Sequence, residues 1–312
     1  MKADRARLKV AAALFVGVVG VVGACASQKN TLAGDTFDAR RKLTRELINR
    51  NDWGPAFVYA DALHRERPHD VEVLVLRGTI YRERALWNES EGDLKEAVMI
   101  DDGSAEAHAA LGILYDVTMR PTLAEAQHRK AVKLAPDAAG YLNNLGFSLF
   151  LRGKPRDAIR FYEQAARLEP TSRRVRTNLG FACAATGDLR RAAHEFEMGG
   201  SPAEAKNNLG FAYERRGDLG NAYDLYREAT ELDPKSQHAR GNLVHAALVL
   251  GREVPASAAP PVTEVAVPAS PSAVPASPSA VTPPPPAVLR DGHPLVPLPP
   301  PAAALSPKDG RP

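Results

Sequence analysis

Through the middle of the chain, small, apolar and amide residues return in one fixed frame. The tetrapeptide Asn-Leu-Gly-Phe stands at 144–147, 178–181 and 208–211. Its glycines extend into a ladder of Gly78, Gly112, Gly146, Gly180 and Gly210, at intervals of 34, 34, 34 and 30 residues. Prolines form a second ladder at Pro68, Pro136, Pro170 and Pro234. With Ala139 as position one, position four is Leu142, seven and eight are Leu145-Gly146, twenty is Ala158, twenty-four is Tyr162, twenty-seven is Ala165 and thirty-two is Pro170. Such a unit predicts two helices. Small residues at eight and twenty let them approach, and the proline ends the second, since its ring cannot continue a helix.

The frame fits 203–236 at Leu209, Gly210, Tyr213, Ala222, Tyr226, Ala229 and Pro234. It fits 105–138 at Leu111, Gly112, Tyr115, Ala124, Ala131 and Pro136, with His128 in place of the aromatic residue. Residues 71–104 keep Gly78, Tyr81 and Ala97 but have Asp102 in place of the proline, and 37–70 keep only Ala56 and Pro68. Residues 173–202 begin in frame, with Leu179, Gly180, Ala192 and Phe196, and then lose four residues before Gly199-Gly200-Ser201-Pro202. A tighter turn and a local change of pitch are expected there.

A 34-residue period with Leu-Gly early and proline late resembles the tetratricopeptide repeat (TPR) family. The resemblance implies an all-α fold, a TPR α-solenoid in which antiparallel helix pairs wind into a right-handed superhelix. Six repeats are expected over 37–236. Residues 237–252 repeat a first helix without a second and are expected to cap the apolar face of the last repeat.

The same resemblance places the first helices on a concave face. Position six, which points into that groove, holds Asn144, Asn178 and Asn208, with Asn242 in the cap. A carboxamide both donates and accepts, so it suits the backbone of an extended peptide. Position nine lies one turn on and holds Phe147, Phe181 and Phe211. Together the rows make a candidate peptide-binding groove. The competing reading is structural: the asparagines satisfy neighbouring helices and the phenylalanines are partly core. The lysine and arginine positions of the chaperone-binding carboxylate clamp are not matched.

Composition narrows the function classes. Hydrophobic residues make up 44% and aromatic residues 6%, and 40 basic residues stand against 37 acidic ones for a net charge of +3. No basic face accumulates, which argues against a nucleic-acid partner. The eight histidines form no metal-binding spacing, and no Cys-x-x-Cys, P-loop or Gly-x-Ser-x-Gly is present. No enzyme activity, metal or cofactor is expected, and protein partners are. Cys183 occupies position eleven, where Tyr115 and Tyr213 stand in other repeats, so it reads as a packed, inert thiol. Charged pairs along the helices read as solvated faces.

The two ends differ from the middle. Residues 1–9 carry Lys2, Arg5, Arg7 and Lys9, followed by the uncharged run Val10–Val22. Thirteen helical residues reach only ~20 Å, short of a ~30 Å hydrocarbon core, so 1–24 reads as a secretory signal. It ends in Val22-Gly23-Ala24-Cys25, which resembles the lipobox of bacterial lipoproteins. The resemblance implies lipidation of Cys25, a tether over 25–36, and, with Ala26 next, an outer-membrane location facing the periplasm. From 253 to 312 lie 18 of the 26 prolines, and the near-repeat VPASPSA runs twice over 267–280. This Pro/Ala/Ser-rich segment is expected to be disordered and of polyproline II type, serving as a spacer, as a ligand for a proline-recognising partner, or simply as a solvated tail.

The lipobox, the Asn-Asn-Leu-Gly runs at 143–146 and 207–210 and the shortened repeat at 173–202 together resemble the TPR lipoprotein of tight-adherence (Tad, Flp-type) pilus systems. That resemblance implies a membrane-anchored interaction scaffold contacting secretin or pilus components. A pilotin-like factor for type IV pilus secretins and a general scaffold for peptidoglycan or outer-membrane assembly enzymes are the alternatives.

Overall fold

The computed structural model describes residues 36–255, and there the chain is all α. The signal segment, Cys25 and nearly all of the tether and proline-rich tail lie outside the described residues. Thirteen helices follow one another among the described residues: α1 (36–49), α2 (Trp53–Glu66), α3 (Val71–Glu83), α4 (Trp87–Ile100), α5 (Ala105–Val117), α6 (Pro121–Leu134), α7 (Ala139–Leu151), α8 (Pro155–Leu168), α9 (Arg173–Thr186), α10 (Leu189–Gly199), α11 (Pro202–Arg215), α12 (Leu219–Leu232) and α13 (Gln237–Leu250). The chain divides into two compact units, one ending at Leu114 and the other beginning at Tyr115.

One backbone device joins first to second helix in every repeat. Position fifteen has positive φ at Asn51, Ala85, Met119, Gly153, Gly187, Gly217 and Gly251. The next residue's N–H reaches back five residues, as in Lys154 to the Leu149 carbonyl at 3.0 Å and Asp218 to the Tyr213 carbonyl at 3.0 Å. This is the Schellman closure, which satisfies carbonyls left open at a helix end and needs a left-handed residue to do it. At the other end of each pair, α6, α8 and α12 stop two residues before Pro136, Pro170 and Pro234.

The glycine at position eight seats the side chain at position twenty-four. A Cβ added to Gly146 would lie 2.8 Å from the Tyr162 ring, one on Gly180 2.5 Å from the Phe196 ring, and one on Gly210 2.8 Å from the Tyr226 ring. All three rings are buried to within 1% exposure, so each helix pair closes around one ring. In the first unit Leu94 fills the same seat, 2.7 Å from a Cβ on Gly78. That pair is further joined by Ser90 Oγ donating to the Gly78 carbonyl at 2.7 Å. Arg77 adds two bonds to Asp93, at 2.6 and 2.7 Å, with only 12% and 10% of the two side chains exposed. This pair corrects the expectation that charged pairs are solvated. Positions seven and twenty-three face each other across the helix pair, and the guanidinium fork satisfies the carboxylate inside.

The short repeat absorbs its deletion in three places. Helix α10 has 11 residues where α8 has 14, and only Gly200 and Ser201 separate it from α11. Helix α11 in turn starts one residue early in the frame, at Pro202. Gly199 permits the crossing, since a Cβ there would lie 2.7 Å from Arg176 Cβ. Ser201 and Glu204 form a reciprocal capping box, which fixes the entry to α11 without a longer loop.

Helix α13 packs on α11 and α12 through Ala239, Leu243, Ala246 and Ala247, all buried. It carries Val244 at position eight, where complete repeats have glycine, so no ring could seat there. Leu248 and Val249 remain 67% and 61% exposed at its end. No helix among the described residues is long and apolar enough to cross a membrane.

Candidate functional site

In the second unit, α7, α9, α11 and α13 lie side by side, so the asparagine and phenylalanine rows run across four consecutive first helices. The four asparagines are not equivalent. Asn178 Nδ2 donates to Asn143 Oδ1 at 2.9 Å, and Asn242 Nδ2 donates to Asn207 Oδ1 at 2.9 Å. Each bond runs from position six of one helix to position five of the helix before it. Asparagine occupies position five only at Asn143 and Asn207, and both are buried. Asn178 and Asn242 therefore spend part of their capacity holding adjacent helices in register. Asn144 and Asn208 have no side-chain hydrogen bond among the described residues. Their carboxamide atoms are not sealed from solvent, although Asn208 as a residue is buried. The row thus alternates between asparagines bonded to the neighbouring first helix and asparagines without such a bond.

The phenylalanines alternate too. Phe181 is buried, its ring 4.8 Å from that of Phe196 and 5.9 Å from that of Phe211, both edge-on. Edge-to-face packing of this kind adds about 0.5–1.5 kcal/mol to area burial. Phe147 and Phe211 pack against the same cluster but stay half exposed. A carboxamide with no side-chain hydrogen bond and a partly exposed ring thus coincide on α7 and again on α11, although Asn208 itself is buried; between them on α9 Asn178 is partly exposed and Phe181 is buried. In α13 position nine is His245, whose Nε2 lies 3.5 Å from Glu214 Oε1. The other Glu214 oxygen accepts from Tyr226 Oη at 2.5 Å, and burial together with that bond pushes the phenol's pKa well up.

A cleft of about 280 Å³ opens elsewhere, between Ala193 and Glu197 of α10 and Ala205, Lys206 and Leu209 of α11. It shares no residue with the rows. It opens where α10 lacks its last turn, and Leu209 is half buried there while Leu145 and Leu179 at the same position are fully covered.

A buried polar trio, Asp116, His128 and Ser148, joins α5, α6 and α7. Asp116 Oδ2 lies 2.9 Å from His128 Nε2, and Ser148 Oγ donates to Asp116 Oδ1 at 2.9 Å. The residue types match a hydrolytic triad but the order does not. Here the carboxylate sits in the middle and the serine donates to it, so no imidazole nitrogen is placed to take the serine proton. With His128 and Ser148 fully buried, the trio is a packing element that replaces the aromatic ring of other repeats. The signal was His128 at position twenty-four with an acid twelve residues earlier, the same spacing as Tyr226 and Glu214. Cys183 is buried, and desolvation pushes its thiol up to about 11, as expected for an inert packing residue.

Comparison with known proteins bears on the same segments. Residues 139–172 and 203–236 match the tetratricopeptide repeat family. An 81-residue stretch is 35% identical to the type IV pilus assembly protein PilF of Pseudomonas aeruginosa, covering 26% of this chain and 32% of that protein, about a third of its length. The solved structure of Pseudomonas aeruginosa PilF superposes with a TM-score of 0.54 at 16% identity, over 68% of this chain and 98% of that one. The solved structure of PilW, a widely conserved type IV pilus biogenesis factor, does so with a TM-score of 0.57 at 18% identity, over 67% and 98%. These two likenesses establish the fold. Ring-on-glycine helix pairs and a shared turn at position fifteen, with the family match over 139–172 and 203–236, give the described chain the tetratricopeptide repeat fold, and over 81 residues it is similar to a type IV pilus assembly protein.

Proposed function

We propose that the protein is a lipid-anchored scaffold of the bacterial envelope that assists pilus or secretion-system assembly by holding an extended segment of a partner protein, and that it works by binding rather than catalysis. The observation carrying this reading is the pair Asn144 with Phe147, repeated as Asn208 with Phe211. Each sets a carboxamide that makes no side-chain hydrogen bond beside a partly exposed ring, as backbone registration plus a side-chain pocket requires; Asn144 is the more accessible amide, Asn208 being buried. Similarity to PilF favours type IV pilus assembly within this reading, with secretin or pilus components as the partner class. A pilotin-like role is the more specific version. It predicts that loss of the protein abolishes secretin multimers, and unchanged multimers would count against it.

The groove is tested with Asn144→Ala/Asn208→Ala against Asn178→Ala/Asn242→Ala. The first pair should fold as the parent does and lose partner capture. The second should lose stability first, because it breaks the bonds between neighbouring helices. Wild-type capture by the folded first variant would end the groove reading. For the anchor at Cys25, and with it the outer-membrane location, Cys25→Ala should abolish labelling by a fatty-acid analogue. Persistent labelling would refute the lipid.

A further inference from the structure

The cleft between α10 and α11 is the seat of a turn that the short repeat lacks. In the two repeats before it, position twenty-eight holds an apolar side chain that helps cover the next first helix. Val132 packs against the cluster containing Leu145, and Ala166 is buried in one cluster with Val175. Counted on from Phe196, position twenty-eight of the short repeat is Gly200, which has no side chain to offer. Gly200 lines the cleft with Ala205 and Leu209, at positions three and seven of the next repeat, the equivalents of Val175 and Leu179.

Position twenty-nine is lost as well, and with it a charge. In α12 it faces position twenty-five one turn earlier, where Arg227 lies 3.9 Å from Glu231. In α8 the same two positions hold opposite charges, Glu163 and Arg167. In α10 position twenty-five is Glu197, and the helix ends two residues later at Gly199. Glu197 is exposed on the rim of the cleft and makes no ion pair among the described residues. The other rim is spent, since Lys206 bonds Glu228 at 2.7 Å. An apolar floor therefore stands beside one unpaired carboxylate.

We propose that this cleft binds a helical turn of a partner protein, in which a valine- or leucine-sized side chain enters over Leu209 and a lysine or arginine next to it pairs with Glu197. The partner's turn stands in for positions twenty-eight and twenty-nine of the short repeat, and the chain's own complete repeats define its chemistry, apolar then basic, as in Val132-Lys133 and Ala166-Arg167. Size agrees. At about 280 Å³ the cleft falls just below the ~300–1,000 Å³ of small-molecule pockets and suits the side chains of one turn better than a metabolite. Because the cleft shares no residue with the asparagine and phenylalanine rows, it adds a second contact to the scaffold and does not depend on the groove reading.

The test uses the full chain and a synthetic peptide of residues 126–137, whose Val132-Lys133 carries the required chemistry. Contact is read from the Leu209 methyl signals by NMR at millimolar peptide. Those signals should shift, and the same peptide with Val132→Asp should leave them in place. In the protein, Glu197→Lys should weaken binding about threefold or more, as loss and reversal of one rim charge imply. Ala193→Phe fills the cleft from the α10 side and should abolish binding, with an unchanged melting curve as the folding control. Glu197→Lys alters only an exposed rim residue and carries the test alone if Ala193→Phe does not fold. No shift at Leu209, equal binding of the Val132→Asp peptide, or parental affinity in Glu197→Lys overturns the proposal. None of these results bears on partner capture by the asparagine variants, so the groove reading stands or falls separately.

Discussion

The same turn and the same seat are built from different residues at the two ends of the described chain. At position fifteen the first three repeats put Asn51, Ala85 and Met119 into positive φ, at 61°, 58° and 57°, whereas later ones use Gly153, Gly187 and Gly217. At position sixteen Asp188 and Asp218 accept a backbone N–H of the following helix, while Leu86, Arg120 and, among the later repeats, Lys154 have no side-chain cap. In the position-twenty-four seat Leu94 stands against Tyr162, Phe196 and Tyr226. The backbone is held constant and the side chains are not. The early repeats meet the same backbone demands with other local chemistry, and charged contacts join their helices as well: the buried Arg77–Asp93 pair, matched later by Arg176–Glu195, and Arg45 bonded to both Glu72 and Glu106.

The largest effect should come from emptying a ring seat. Phe196→Ala removes a ring packed on both Gly180 and Phe181 and should cost ~3–5 kcal/mol by denaturant unfolding. Leu94→Ala should cost less, ~2–3 kcal/mol, because a smaller side chain is lost. Equal losses would mean that the ring adds nothing beyond filling volume. Next in size is the buried charged pair. Asp93→Ala leaves the Arg77 guanidinium without its partner inside the helix pair and should cost ~3 kcal/mol, whereas Arg77→Met/Asp93→Leu should come close to neutral. If the double variant is as unstable as the single one, the pair does more than offset its own burial.

The turns give the third contrast. Gly187→Ala forces a Cβ into left-handed backbone and should cost ~1–2 kcal/mol. Ala85→Gly and Met119→Gly relieve the same penalty and should each gain up to ~1 kcal/mol in the melting transition. A loss at either early site would show that position fifteen is not strained there.

How much of this was legible in sequence depended on whether the determinant was periodic. Position eight and the closing prolines recur at fixed spacing, so helix pairing was readable, as was the place of the deletion. The alternation along the asparagine row was harder. All four asparagines look alike at position six, and what separates them is position five of the preceding helix, visible only as the Asn-Asn doublets at 143–144 and 207–208. Phe181 likewise matches Phe147 and Phe211 in sequence, yet it is core, because it is wedged between Phe196 and Phe211. Arg77–Asp93 and Asp116–His128–Ser148 join residues 12 to 32 apart across helices, and of these only Asp116–His128 leaves a mark, an acid twelve residues before position twenty-four. The turn at position fifteen was periodic but hidden, since Asn, Ala and Met carry no glycine signal.

The smallest expected effect tests whether the short repeat depends on its capping box as the early repeats depend on their charges. Burial raises the Glu204 carboxyl, but hydrogen bonds from Ser201 and the charge of Arg173 outweigh it, and the group titrates below its ordinary 4.5. A lowered folded pKa means that stability is present above the unfolded value and is lost as pH falls through the folded one. Glu204 is half buried but lies at the surface beside the exposed Arg173, so the contribution is discounted to well under ~1 kcal/mol. Glu204→Gln keeps the bond to the Ser201 N–H and loses the charge. It should therefore unfold almost as the parent does at pH 7, and the small difference should vanish by the acid end of the glutamate range. A difference that persists there would assign the effect to geometry at Ser201 rather than to charge. The two-residue connection from α10 to α11 would then be held by the hydrogen-bonded turn alone, as the later Schellman closures are.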